Sequence, residues 1–167
     1  MYTNNKVGNV IYKVIEYFGD DVRRINHFLK VYGYVKMIGE CENLDDSMQE
    51  ILEVTAVLHD VGIKVAEQKY NSSAGYYQQL EGPPVAKKIL DELGYPYDFV
   101  ERVMYLIAHH HTYTNIDGMD YQILVEADFL VNADEDRLSS DAIENFKEKI
   151  FKTTTGIAVL ENNYLNL

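Results

Sequence analysis

Proline stands at only three positions, Pro83, Pro84 and Pro96, so almost every other stretch is free to build a helix. The apolar residues use that freedom. Val7, Val10, Ile11, Val14, Ile15 and Phe18 recur at helical spacing, predicting a first helix over 4–18 that Gly19 ends. A second helix over 21–39, capped by Asp20 or Asp21, carries Val22, Ile25, Leu29 and Tyr32 on one side. Its other side carries Val31, Tyr34, Val35 and Ile38, which predicts a central position. A third runs from Asp45 or Asp46 to Asp60. From Val61 to Leu80 the pattern dissolves, predicting a long loop of the kind that is usually functional or mobile. A fourth helix starts at Glu81-Gly82-Pro83-Pro84, where proline suits a first turn, and ends at Gly94. Further helices are expected over 97–111 and 119–132, with weaker ones over 140–151 and 154–162. No stretch alternates as a strand does. The expected fold is all-α, one domain over 1–167.

Composition narrows the function. The chain has 167 residues, 47% hydrophobic and 25% charged, as globular proteins do. Acidic residues outnumber basic ones 27 to 15, a net charge of −12. That disfavours duplex nucleic acid and anionic membranes as partners, since both need a positive surface. It also disfavours a phosphate-handling site, unless a bound divalent metal supplies positive charge locally. The single cysteine, Cys41, excludes an intrachain disulfide and a cysteine zinc cage, and its position near a helix end predicts a partly buried residue. No apolar run approaches the length that spans a bilayer, and the first residues lack a signal pattern, so the cytoplasm is the expected location.

Several polar residues fall on apolar faces. Asp128 lies seven, four and three positions after Tyr121, Leu124 and Val125 and so points inward with them. A buried carboxylate is expensive unless it is paired, by an arginine such as Arg24 or by a metal. Its neighbour Glu126 points the other way and calls for no special role. His27 lies among apolar residues of the second helix; taken alone it is a core histidine. His59 and Asp60 close the third helix in the string Leu58-His59-Asp60-Val61-Gly62. Together, His27, His59, Asp60 and Asp128 form a mixed nitrogen and oxygen set able to hold one divalent ion. Of His109, His110 and His111, the last two extend the inward line of Val103 and Ile107, while His109 turns toward solvent. Glu81 is either a favourable charge at a helix N-terminus or part of a second metal site.

These strings resemble the HD-domain metal-dependent phosphohydrolases. The likeness rests on Arg24-Ile25-Asn26-His27, on Leu58-His59-Asp60-Val61-Gly62, on Ile107-Ala108-His109-His110-His111 and on Glu126-Ala127-Asp128-Phe129-Leu130. It covers a core of about 22–134. The resemblance implies an HD-type helical bundle with a metal site between central helices. It implies that His27, His59, Asp60 and Asp128 hold a first divalent transition metal (Fe, Mn, Ni or Zn) and that Asp60 bridges to any second. His110 or His111 matches one of the further histidines of dinuclear members. At the other, Glu81 stands in place of histidine, a carboxylate that can ligate Fe or Mn. Thr112-Tyr113-Thr114-Asn115 lacks the Gly-Tyr-Pro tail of the cyclic-di-GMP phosphodiesterase branch.

The function so implied is hydrolysis of a phosphoester, a nucleotide or related small phosphate, by metal-activated water. Asp60 would orient the water and Lys64 would pair with the substrate phosphate. The tyrosine-rich stretch Tyr70 to Tyr77 would stack on a base or close over the site. Two alternatives are a di-iron HD-fold oxygenase and a metal-binding sensor without turnover. The high tyrosine content, 14 residues, is compatible with a homodimer.

Overall fold

The computed structural model describes residues 6–166. Among them are nine α-helices: α1 Lys6–Phe18, α2 Val22–Cys41, α3 Asp46–Leu58, α4 Gly62–Tyr70, α5 Gly75–Glu92, α6 Tyr97–His109, α7 Met119–Glu135, α8 Ser140–Ile150 and α9 Thr154–Leu160. A short π-helical turn, Glu161–Leu165, follows, and no strand occurs among the described residues. The fold is all-α. No helix among the described residues is long and apolar enough to cross a membrane.

Local chemistry sets the helix ends. Of the candidate caps, Asp21 accepts from Arg24 N at 3.2 Å and Asp45 from Met48 N at 2.9 Å, each pairing a first-turn N–H. Gly19 and Gly94 take φ of +65° and +75° just past α1 and α5, where a side chain would be strained. Cys41 is exposed rather than partly buried.

The core has two lobes, and α3 runs between them. Leu52 and Ala56 pack with Val31, Val35, Ile38, Leu124 and Leu130; Val54, Val57 and Leu58 pack with Val14, Phe28, Leu90, Val103 and Ile107. Every residue from Leu52 to His59 is buried. Each large side chain so buried contributes about 1.5–3 kcal/mol, which anchors the end of α3 where His59 and Asp60 stand. The second helix also feeds both lobes, through Phe28 and through Val31, Val35 and Ile38, as its two apolar sides require.

The expected loop over 61–80 is largely helical: only 71–74 separate α4 from α5. Apolar residues are too sparse there to mark a period, because α4 and α5 meet through glycine. A Cβ on Gly62 would lie 2.6 Å from both the Gln78 carbonyl and Gly82 N. Pro83 and Pro84 therefore sit inside α5, not at its start. They remove two donors from the helix ladder, and packing against α4 and α6 holds the helix across that gap.

Glu126 is also unlike its expected solvent-facing role. It is fully buried and accepts from Gln122 Nε2 at 2.7 Å, Lys152 N at 2.7 Å, Thr153 N at 3.0 Å and the Thr153 hydroxyl. One carboxylate thus ties α7 to the turn that starts α9.

Candidate metal centre

Three helices and the turn after α3 converge on one cluster. His27 comes from α2, His59 and Asp60 from the end of α3, and Asp128 from the buried face of α7. His27 Nε2 lies 3.3 Å from His59 Nε2, 3.2 Å from Asp128 Oδ1 and 3.4 Å from Asp60 Oδ2. His59 Nε2 lies 3.5 Å from Asp60 Oδ2 and 3.4 Å from Asp128 Oδ1.

The other ring nitrogens show why Nε2 is turned inward. Nδ1 of His59 donates to Ala56 O at 2.7 Å, and Nδ1 of His110 donates to Ile107 O at 2.7 Å. Nδ1 of His27 donates to the Glu135 carboxylate at 2.9 Å. A proton held on Nδ1 leaves a lone pair on Nε2, the form that ligates a metal.

Asp60 serves two sides. Its Oδ2 faces His27 and His59, while its Oδ1 lies 3.6 Å from His110 Nε2. That His110 nitrogen is buried without a hydrogen-bond partner. Ligand atoms of His27, His59 and Asp60 fall within 4.8 Å of one another, and so do those of Asp60, His110 and His111. A buried, unpartnered imidazole nitrogen facing a carboxylate oxygen at this separation suits an interposed cation. The donor set therefore fits a divalent metal, with Asp60 common to both groups.

Electrostatics agree. Burial opposes charge throughout the cluster, and the charged partners overcome it. Burial works against the His59 imidazolium, yet Asp60 and Asp128 push its pKa up to about 9. His27 is also raised, against burial, by its hydrogen bond to Asp128. Asp60 and Asp128 are held below the usual carboxylate range, Asp60 chiefly by the His59 charge and Asp128 by hydrogen bonds from His27 and His59. In the metal-free chain a proton thus does part of the work that a cation would do. His111 goes the other way: burial and the neighbouring His110 push it down to about 4, so its ring is neutral.

The first turn of α5 holds His111. Its Nε2 is 2.9 Å from Gln78 Oε1, and Gln78 Nε2 donates to Ser73 O at 2.7 Å. The amide is thereby oriented with its oxygen toward the ring, so His111 Nε2 is the donor. Gly75 lets the ring approach: a Cβ there would meet His111 Cδ2 at 2.7 Å. Gln79 Oε1 accepts from His111 N at 3.0 Å.

Two candidates lie elsewhere. Glu81 falls outside both ligand groups and accepts instead from Lys69 Nζ at 2.8 Å and Tyr70 OH at 2.7 Å. The reason is its place in the second turn of α5, beside the end of α4. Lys64 lies in the first turn of α4, donates to Tyr17 O at 2.9 Å and sits 5.1 Å from that ring's centroid. It does not line the cavity over the cluster. His109 bonds Tyr105 O through Nδ1 and joins neither group.

That cavity, about 470 Å³, is lined by His27, Asp60, His111 and Asp128, by Ser73, Gln78 and Asn132, and by charged groups at its rim. Its cations are Arg23 and Arg24. No tyrosine lines it; Tyr70 and Tyr77 stack on each other at 4.2 Å instead. Sequence reasoning missed Glu135 and Gln78. Glu135 carried a signal, lying seven residues after Asp128 on the same helix face; Gln78 carried none.

The family model for the HD domain matches residues 24–144, a span that contains all four converging ligands and both later histidines. The chain belongs to the HD domain family. HD domains bind divalent metals, in keeping with the cluster. A solved structure, that of a predicted HD superfamily hydrolase from an uncultured Thermotogales bacterium, shares the fold with a TM-score of 0.64. It is 22% identical, over 95% of this HD domain chain and 83% of that one. No curated protein sequence matches the chain.

Proposed function

We propose that this HD domain protein is a metal-dependent phosphohydrolase that cleaves a phosphoester of a small molecule, a nucleotide or related small phosphate. The observation that carries the reading is the convergence of His27 Nε2, His59 Nε2, Asp60 Oδ2 and Asp128 Oδ1 at 3.2–3.5 Å beneath an open polar cavity. These four residues would hold the first ion. Asp60 Oδ1 with His110 and His111 would hold a second. A divalent ion held by these residues would supply Lewis acidity, lowering the pKa of water and polarising a phosphoryl oxygen.

The chain's own residues do the rest. Glu135 and the carbonyls of Ala56 and Ile107 keep His27, His59 and His110 protonated at Nδ1. Ser73 and Asn132 would offer hydrogen bonds to a polar substrate, and Arg23 would offer positive charge beside the ion. The ions and this arginine would answer the difficulty of placing phosphate on a chain of net charge −12.

The test is metal content by mass spectrometry on untagged protein, wild type beside Asp60→Ala, followed by a panel of phosphoesters on the loaded wild type. The expected result is about one to two ions per chain, lost in the variant, with turnover of some panel members. Wild-type protein that binds no Mn, Fe, Ni or Zn after reconstitution, or binds metal and turns over no phosphoester, overturns the reading.

A further inference from the structure

Resting on the phosphohydrolase reading, we infer that the cavity selects a phosphomonoester of a compact polar alcohol, with Arg23 receiving the phosphate, and that it discriminates against polyphosphates. The charged groups of the cavity rim beyond the metal ligands are Asp21, Arg23, Arg24, Glu135 and Asp136.

Three of these are already engaged. Arg24 Nη1 pairs with Asp21 Oδ2 at 2.9 Å, and Arg24 Nη2 pairs with Glu67 Oε1 at 2.5 Å. Glu135 accepts from His27 and from Lys30 Nζ at 3.1 Å. A guanidinium held by two carboxylates has little left to give a ligand. Arg24 is a wall of the cavity, although its sequence position first suggested a partner for Asp128.

Arg23 and Asp136 remain. Among the described residues neither has an ion-pair partner, and both are exposed at the rim. Arg23 precedes His27 by four residues on α2, so the two side chains share a helix face one turn apart. Arg23 lines the same cavity as His27, Asp60 and Asp128, and among the described residues its planar fork of donors pairs with no carboxylate. That fork matches two phosphate oxygens at once. One phosphate can therefore be shared between metal and Arg23.

A second phosphate would find no second unpaired arginine or lysine among the residues that line the cavity. Asp136, an exposed carboxylate that also lines the cavity, would repel it. The same carboxylate suits a hydroxyl or amine on the alcohol part of the ligand. A base has nothing to stack on, because Ile63 is the one apolar side chain in the lining and no aromatic residue joins it save the histidines of the cluster. At about 470 Å³ the cavity is in the lower half of the range for small-molecule sites, roughly 300–1,000 Å³.

The test uses metal-loaded full-length protein as wild type, Arg23→Ala, Arg23→Lys and Asp136→Asn. Inorganic phosphate binding is measured by calorimetry, and kcat/KM for glycerol phosphate and for a nucleoside triphosphate. Metal content is checked in each variant. Arg23→Ala should weaken phosphate binding about 10–100-fold at unchanged metal content, the effect of losing a charge-assisted pair, and Arg23→Lys should recover part of it. Wild type should prefer glycerol phosphate to the triphosphate by about tenfold or more, and Asp136→Asn should narrow that gap. Phosphate binding left within about twofold by Arg23→Ala, or equal use of the triphosphate, overturns the inference and leaves the phosphohydrolase reading standing. Metal-loaded wild type that binds no phosphate and cleaves neither ester overturns both.

Discussion

Glu135 on α7 accepts a hydrogen bond from Nδ1 of His27 at 2.9 Å, across 108 positions of sequence, and so directs the Nε2 lone pair of that ring at the ligand cluster. Carboxylates in this position orient a ligand histidine and raise its basicity. Glu135→Gln should lower metal affinity by about 10–100-fold without unfolding the chain. Competition with a chromogenic chelator measures this. Affinity unchanged in the variant would show that Ala56, Ile107 and helix packing suffice to aim the rings.

Metal binding should depend steeply on pH. A ligand imidazole must be neutral, and the metal-free site holds a proton on His59 up to about pH 9, against the usual 6.5. His27 is raised in the same direction. Apparent affinity should therefore climb by about tenfold per pH unit, or more where two protons leave, up to about pH 9. The metal-free protein behaves in the opposite sense. Its His59 contribution to stability is full below pH 6.5 and disappears as pH rises through about 9. Thermal melts of apo and loaded protein from about pH 6 to 9 check both signs.

Gln78 should matter through His111 alone. Gln78→Leu removes the acceptor for His111 Nε2–H and frees the ring to change tautomer. Nitrogen chemical shifts of the imidazole should then report a mixture in place of a single Nε2–H form. Binding of a second ion should change by about tenfold while the first stays within about twofold. Equal losses at both would mean that Gln78 supports the fold instead.

Glu126 should prove structural. Glu126→Ala strips the acceptor from two backbone N–H groups and a hydroxyl at the start of α9. Destabilisation of about 2–4 kcal/mol is expected, a fall in Tm of roughly 5–15 °C. Metal stoichiometry of the folded fraction should not change, which separates this glutamate from Asp128 two residues on.

The difference between those two acidic residues shows where sequence reading reaches and where it stops. Asp128 stood out because a carboxylate interrupts an apolar face, and His27 and His59 stood out in the same way. Helical spacing converts such interruptions into statements about a common interior. Glu126 sits on the opposite side of α7, and nothing local reveals that the chain returns 26 residues later to cover it. Glu81 and Lys64 shared a second failure. Glu81 was expected at the start of a helix and Lys64 beside the substrate phosphate, and the glycines that make 61–80 helical leave no apolar period to show where either points. Gln78 lay within that same segment and bonds a histidine 33 residues away, so its importance is purely tertiary.

The meeting of Gly62 and Gly82 also governs how the cavity responds to what enters it. Main chain rests on main chain there, with no side-chain rotamer to yield, and Ile107 closes the far side of Gly82. The helix that follows Asp60 and the helix that carries Gln78 are therefore spaced by folding and not by ligand. An arriving molecule meets walls already at their final separation, so little ordering is left to oppose its binding. A molecule too large for those walls has no inexpensive way to part them. Discrimination by size is consequently a property of the backbone, and substitutions among the lining side chains should retune charge preference more readily than they widen the range of shapes admitted.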